Sequence, residues 1–184
     1  MKFLPKFSYT ISMKEYGIDK KLETNISFLS LGSNLKNKVD NIFKATSLIE
    51  NIIGPIVKSS KLYTTEPWGV KNQNIFINQV LSIETSLSPL DLLNECKNIE
   101  KKMGRISSRR WGERLIDIDI LYYNNSIINF KKLSIPHPEI ANRKFILIPL
   151  NDIDPDYVHP ILDLTNQQLL NETNDNCLVI KYGL

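Results

Sequence analysis

The stretch RRWGERLIDIDIL, residues 109–121, combines guanidiniums with carboxylates in a pattern suited to phosphate chemistry. Alternate side chains of a strand share a face, so Leu115, Asp117, Asp119 and Leu121 point one way and Ile116, Ile118 and Ile120 the other. The isoleucines can enter a core while the two aspartates lie side by side on the opposite face. Neighbouring carboxylates repel, which tends to raise one pKa, and a divalent cation removes the conflict. Hard oxygen ligands suit Mg²⁺, which takes one or two carboxylates and completes its shell with water and substrate phosphates. Two such ions about 3.5–4 Å apart form a common phosphoryl-transfer arrangement.

Immediately before this strand, residues 101–114 carry six Lys or Arg against Glu113 alone, although the whole chain nets only +3. A basic focus of this kind points to an anionic partner bound at one place. Arg105, Arg110 and Arg114 can grip phosphate oxygens in bidentate forks. An isolated Asp-x-Asp on a strand is most often a solvated face; the isoleucines and the arginine loop argue against that here. Neither GxxxxGK[ST] nor GxGxxG occurs, so a bound nucleotide needs another scaffold. Phe76 and Asn78 share a strand face and could serve as an aromatic platform and an amide reading a heterocycle edge, but alone they fit an ordinary half-buried strand. His137, between Pro136 and Pro138, and the rings of Trp68, Trp111 and Phe145 are equally compatible with structural roles.

These side chains have to be positioned by a pattern of short elements. Residues 24–31 read as a strand, and Gly32-Ser33-Asn34 turns the chain into a helix whose apolar positions are Val39, Ile42, Phe43, Ile49, Ile52 and Ile53, stopped by Gly54-Pro55. A strand is predicted over 56–63, a loop to residue 74 and a strand over 75–85. A helix then starts at the Ser88 cap with Pro89 and Asp91, buries Leu92, Leu93, Cys96, Ile99 and Met103 on one face, and ends at Gly104. After strand 115–123, Asn124-Asn125 turns the chain and 126–128 are expected to pair back. Residues 145–150 form a short buried segment, and a last helix covers about 164–170. The order strand, helix, strand, strand, helix, strand predicts an α+β fold. It is the split βαβ arrangement of a ferredoxin-like antiparallel sheet with helices packed on one face, followed by a C-terminal extension.

The chain has 184 residues, 42% hydrophobic and 23% charged, which fits one soluble domain. No apolar run approaches the roughly 20 residues of a membrane helix. The first residues lack a signal peptide's apolar stretch and cleavage site, so a cytoplasmic protein is expected. Residues 1–25 stand outside the pattern as an N-terminal extension of the 26–184 domain. Cys96 and Cys177 form no CxxC, and with His137 and His159 they cannot build a zinc site.

Taken together, LGSN (31–34), SSKLYTTEPWG (59–69), QNIFIN (73–78), LLNECKNIEKKMGR (92–105), RWGERLIDIDIL (110–121), IPHPEIANRKFILIPL (135–150) and HP (159–160) resemble the 6-hydroxymethyl-7,8-dihydropterin pyrophosphokinase family, in family order and over about residues 26–165. The resemblance implies transfer of pyrophosphate from ATP to the pterin's hydroxymethyl oxygen in folate biosynthesis, with two Mg²⁺ bound with ATP. It implies Asp117 and Asp119 as metal ligands and, with Arg105 and Arg114, as the catalytic set. Glu100, Arg110, Trp111, Ile120, His137 and Arg143 match the ATP side. Thr65, Pro67, Gly69, Phe76, Asn78 and Phe145 match the pterin side, with Phe76 and Phe145 sandwiching the ring. A monomer acting on ATP and the pterin, without nucleic acid or membrane, is expected. Glu113 stands where the family usually has proline, which predicts a looser loop and a negative charge beside the phosphates. The loop from Arg105 to Arg110 looks one residue short against some members. Ser107 replaces a commonly basic residue, and Phe76 a frequent tyrosine.

The competing reading is a ferredoxin-like nucleic-acid module. The sequence lacks the K/R-G-F/Y-G/A-F-V-x-F/Y element of RNA-recognition domains, and two aspartates on the open face would repel a phosphate backbone.

Overall fold

The structure, a computed structural model, describes residues 24–67, 72–105 and 112–183. The 1–23 part of the expected extension, and Trp68, Gly69, Arg110 and Trp111, lie outside the described residues.

β1 (Asn25–Ser33) runs two residues past its expected end. α1 (Lys38–Ile52) buries Ile42, Ala45 and Ile49 against the sheet, whereas Phe43, counted in the apolar spacing, is 56% exposed. The strand expected over 56–63 is broken into β2 (Ile56–Ser59) and β3 (Tyr63–Thr65). Ser60 explains the break. Its hydroxyl accepts the Val80 N–H at 2.9 Å while its own N–H donates to the Val80 carbonyl, so the side chain replaces one rung of the backbone ladder. Both pieces pair with β4 (Phe76–Thr85). α2 (Pro89–Lys102) begins as expected, the Ser88 hydroxyl accepting the Asp91 N–H at 3.3 Å. Gly104 closes it at φ +88°, a left-handed conformation that favours glycine.

β5 (Asp117–Tyr123) pairs with β1. The sheet runs β5-β1-β4-β3-β8 with β2 also on β4, every pairing antiparallel, which is the expected split βαβ order. Three parts of the chain's second half differ from expectation. The segment after the Asn124 turn does not pair back on β5; β6 (Ile128–Phe130) forms a separate hairpin with β7 (Leu133–Ile135). The 145–150 run is part of helix α3 (Lys144–Ile153), which contains Pro149 and has no local side-chain cap. Its first N–H is instead taken by the Asp175 carboxylate at 2.8 Å, 31 residues on, a contact that sequence spacing cannot reveal. After α4 (Asn166–Glu172), whose Thr165/Gln168 capping box is complete, the unanticipated β8 (Val179–Lys181) adds an edge strand to β3.

The sheet therefore has two covered faces. Leu29, Leu31, Ile77, Leu81, Ile83, Ile116, Ile118 and Ile120 form one core with α1 and α2, the expected helical face. Phe28, Val80, Leu121 and Tyr122 form a second core with Ile146, Leu147, Leu150 and Leu169 of α3 and α4, so the C-terminal extension is a third layer. A β-bulge aids it: the register slips between Phe28 and Leu29, leaving Leu121 as the extra residue and turning both Leu121 and Tyr122 toward that layer. The third layer covers only part of its face. The uncovered part carries Asp117, Asp119 and the side chains around them.

Candidate active site

Asp117 and Asp119 project from β5 onto the uncovered face, and the alternating isoleucines, all but fully buried, anchor the strand from behind. Beside them on the same face stand Ser30 and Gly32 of β1 and Phe76 and Asn78 of β4. With Thr65, Glu66, Arg114, Arg143 and Phe145 they line one cleft. Thr65 holds the Asn78 carboxamide, whose NH₂ donates to the Thr65 hydroxyl at 2.7 Å. Gly32 is required beneath it, because a Cβ there would stand 2.9 Å from the Asn78 Oδ1. Phe145 enters from the start of α3, and the Arg114 and Arg143 guanidiniums each lie 5.7 Å from the ring centres of Phe76 and Phe145 respectively.

The acidic pair is already balanced by cations. Arg105 Nη1 donates to Asp117 Oδ1 at 2.5 Å and lies 2.6 Å from Glu100 Oε2, and Arg114 Nη1 donates to Asp117 Oδ2 at 2.7 Å. Lys97 Nζ donates to Glu100 Oε1 at 2.8 Å and to the Ile118 carbonyl at 3.2 Å, and stands 3.9 Å from Asp119 Oδ1. Glu100 also accepts the Ile118 N–H at 2.8 Å, which ties α2 to the carboxylate strand. The two aspartates are driven apart as their spacing predicts. Burial opposes ionisation of Asp117, but the Arg114 and Arg105 charges outweigh it and hold its carboxyl below the usual range. Partial burial and then the Asp117 charge push Asp119 up.

A second cavity opens on the other side of Asp119, which among the described residues is the one common to both linings. Leu93, Ile120, Phe130 and Leu133 give it apolar walls; Lys97, Ser134 and His137 are among its polar groups. The His137 backbone N–H donates to the Leu121 carbonyl at 2.9 Å and its Nδ1 accepts the Glu139 N–H at 3.2 Å, which fixes the ring. Burial holds that imidazole below its ordinary pKa, with Asp119 opposing.

Of the residues singled out in the sequence, Asp117, Asp119, Arg114, Arg143, Thr65, Phe76, Asn78 and Phe145 meet in the first cleft, and Ile120 and His137 in the second. Arg105 reaches the cluster through Asp117. Glu100, only 4% exposed, lies beneath the surface and orients Lys97 and Arg105. Pro67 is not in either lining. Sequence reasoning missed Ser30, Gly32, Glu66, Lys97 and the hairpin residues Phe130 to Ser134. Gly32, Glu66 and Lys97 had a signal, since each belongs to one of the family-like motifs. The hairpin had none, because its place depends on tertiary pairing.

Glu113 departs from its expected effect. Its carboxylate accepts the Asn74 N–H at 3.3 Å and the Asn74 side-chain NH₂ at 2.7 Å, so it ties two loops together. Asn34, 1% exposed, reinforces this tie. Its Oδ1 accepts the Arg114 N–H at 2.7 Å and its NH₂ donates to Gln73 Oε1 at 3.2 Å.

Two hard carboxylate donors on one face fit a magnesium site that relies on water and substrate phosphates for its other ligands. Among the described residues no group of three His, Cys, Asp or Glu could hold a metal unaided. No helix among them is long and apolar enough to cross a membrane.

The chain is 41% identical over 147 residues to the 2-amino-4-hydroxy-6-hydroxymethyldihydropteridine pyrophosphokinase of Haemophilus influenzae, covering 79% of this chain and 89% of that one. It is 42% identical over 134 residues to the enzyme of the same name from Aquifex aeolicus, covering 73% and 83%. It is also 42% identical over 151 residues to a folic acid synthesis protein of Dictyostelium discoideum, covering 82% of this chain but 23% of that longer one. Among solved structures, an HPPK-DHPS protein of Plasmodium falciparum shares the fold with a TM-score of 0.67 at 23% identity, over 83% of this chain and 43% of that one. The model of the 7,8-dihydro-6-hydroxymethylpterin-pyrophosphokinase family matches residues 28–155, and the chain belongs to that family.

Proposed function

We propose that this pyrophosphokinase seats the pterin in the first cleft, between Phe76 and Phe145 and against Asn78, and seats ATP with its base in the second cavity and its phosphates over Asp117 and Asp119. The reaction joins the pterin's hydroxymethyl oxygen to the β-phosphorus of ATP. The hydroxyl proton is lost, the α–β bridging bond breaks and AMP departs. The observation that carries this placement is the sharing of Asp119 by two cavities of different character. One has aromatic rings and a buried amide suited to a heterocycle edge, the other an apolar wall suited to a purine.

Asp117 and Asp119 would hold two magnesium ions, which supply charge neutralisation to the triphosphate. The cluster of Arg105, Arg114 and Lys97 against Glu100, Asp117 and Asp119 is neutral as it stands. With Asp117 and Asp119 holding the metal, Arg105 and Arg114 would be free to pair with phosphate oxygens instead, so that no charge of the cluster would be left buried alone. Arg114 Nε is already buried with no hydrogen-bond partner among the described residues, a donor that a phosphate oxygen would satisfy. Preorganised guanidiniums of this kind stabilise the charge that develops during transfer. Arg110, Trp111 and Gly69 are assigned to the same site from the resemblance alone.

The test is AMP formation from ATP, Mg²⁺ and hydroxymethyl dihydropterin. Asp117→Ala is expected to lower turnover by roughly a thousandfold or more, and near wild-type activity would reject the metal assignment. Arg114→Ala is expected to lower kcat by more than it weakens ATP binding, and an unchanged kcat would refute its role in the transition state.

A further inference from the structure

We propose that Lys97 is the residue that grips the α-phosphate of the nucleotide, and with it the phosphate of the AMP product. This rests on the placement of ATP across the two cavities given above, and goes beyond it by assigning a particular side chain to the α-phosphate. Lys97 lines the second cavity, and its side chain is 46% exposed. Its ammonium is not a mobile surface charge. Among the described residues, two of its three N–H groups have partners, Glu100 Oε1 at 2.8 Å and the Ile118 carbonyl at 3.2 Å. Its remaining neighbour, Asp119 Oδ1 at 3.9 Å, is near enough for an ion pair but too far for a hydrogen bond.

The geometry then selects the ligand atom. With the base against the apolar wall of the second cavity and the transferring phosphates over the aspartates, the chain of atoms between them passes Asp119, the residue common to both linings. The first phosphate after the ribose is the group that crosses there, beside a cation held in place from behind. Glu100, buried and bonded to the Ile118 N–H, is the positioning residue for that cation. A lysine suits this task as a compact point charge with one free donor, whereas the arginines act as forks on the transferring group.

The experiment measures binding of AMP, adenosine and Mg²⁺-ATP to the full chain by calorimetry, for the wild type and for Lys97→Gln and Lys97→Met. A charge-assisted hydrogen bond to phosphate predicts that both variants bind AMP about tenfold or more weakly, with adenosine affinity unchanged. A merely structural role, in which Lys97 only neutralises Glu100, would lower the thermal midpoint and weaken AMP and adenosine alike. Lys97→Gln keeps a donor for Glu100 and the Ile118 carbonyl, so it remains informative should Lys97→Met fail to fold. Unchanged AMP affinity, or equal losses for AMP and adenosine, would overturn the assignment while leaving the pyrophosphokinase reading intact. Failure of the wild type to bind Mg²⁺-ATP at all would overturn both.

Discussion

At the scale of single residues, the cleft contains a close approach that an added methyl group would disturb. Gly32 lies under the Asn78 amide, where an added Cβ would stand 2.9 Å from Oδ1 and 3.8 Å from the Phe76 ring. Gly32→Ala must shift the carboxamide from its position against Thr65, and the expected result is roughly tenfold weaker pterin binding with nucleotide binding unchanged. Calorimetry with each substrate separately checks this, and equal pterin affinity in the variant would show that the amide does not read the ring. Glu113 gives the complementary lesson. Judged by type alone, a carboxylate in an arginine loop is a repulsive charge; in the fold, Asn74 occupies it. Asp117 and Asp119 were legible from spacing, because a period of two fixes which side chains share a face whatever else the chain does. Lys97 was overlooked because its spacing marks an ordinary exposed helix position, and its value lies in what the strand brings next to it.

At the scale of elements, most of the chain as far as β5 follows its local signals, the break at Ser60 being the exception. The Ser88 cap, the Gly104 stop and the isoleucine alternation all act where they stand in sequence. The part after β5 is held by distant groups. α3 takes its cap from Asp175, and the turn before α4 is held by His159, whose Nδ1 accepts N–H groups from Ile161 at 3.3 Å and Leu162 at 3.2 Å. Accepting two donors requires that Nδ1 be unprotonated, and burial lowers this imidazole's pKa below its ordinary value. The unfolded chain therefore takes up the proton more readily. The contribution to stability is complete above the ordinary value of about 6.5 and is lost as pH falls through that value toward the lowered native one. Thermal unfolding between about pH 8 and pH 5 is expected to show a steeper loss for the wild type than for His159→Gln, and parallel curves would remove His159 from the account.

At the scale of the whole molecule, one sheet separates two cores with different duties. The α1 and α2 face supports the carboxylate strand from behind; the α3 and α4 face shares its surface with the first cleft and sends Phe145 into it. Ile49→Ala and Leu147→Ala, both at fully buried positions, are each expected to cost about 2–5 kcal/mol. At roughly 2–4 °C per kcal/mol for a chain of this size, both should unfold visibly earlier. Their kinetics should differ. Leu147→Ala loosens the helix that carries Phe145 and should raise the pterin KM, while Ile49→Ala should leave it near wild type. Equal changes in KM would mean that the two layers do not act separately.

The sequence by itself determined the elements whose signals are local: the strand periods, the Ser88 cap, the Gly stops, and through them the split βαβ order and the paired aspartates. A side chain's direction along a strand and a capped helix start depend on a few neighbouring residues, so they can be read without knowing the fold. Tertiary structure alone decided that the C-terminal segment forms a third layer and an edge strand, that Asp175 caps a helix 31 residues away, and that Asp119 is shared between two cavities with Lys97 beside it. Those contacts join residues far apart in the chain. Their energy comes from burial and pairing that exist only once the sheet has brought the partners together.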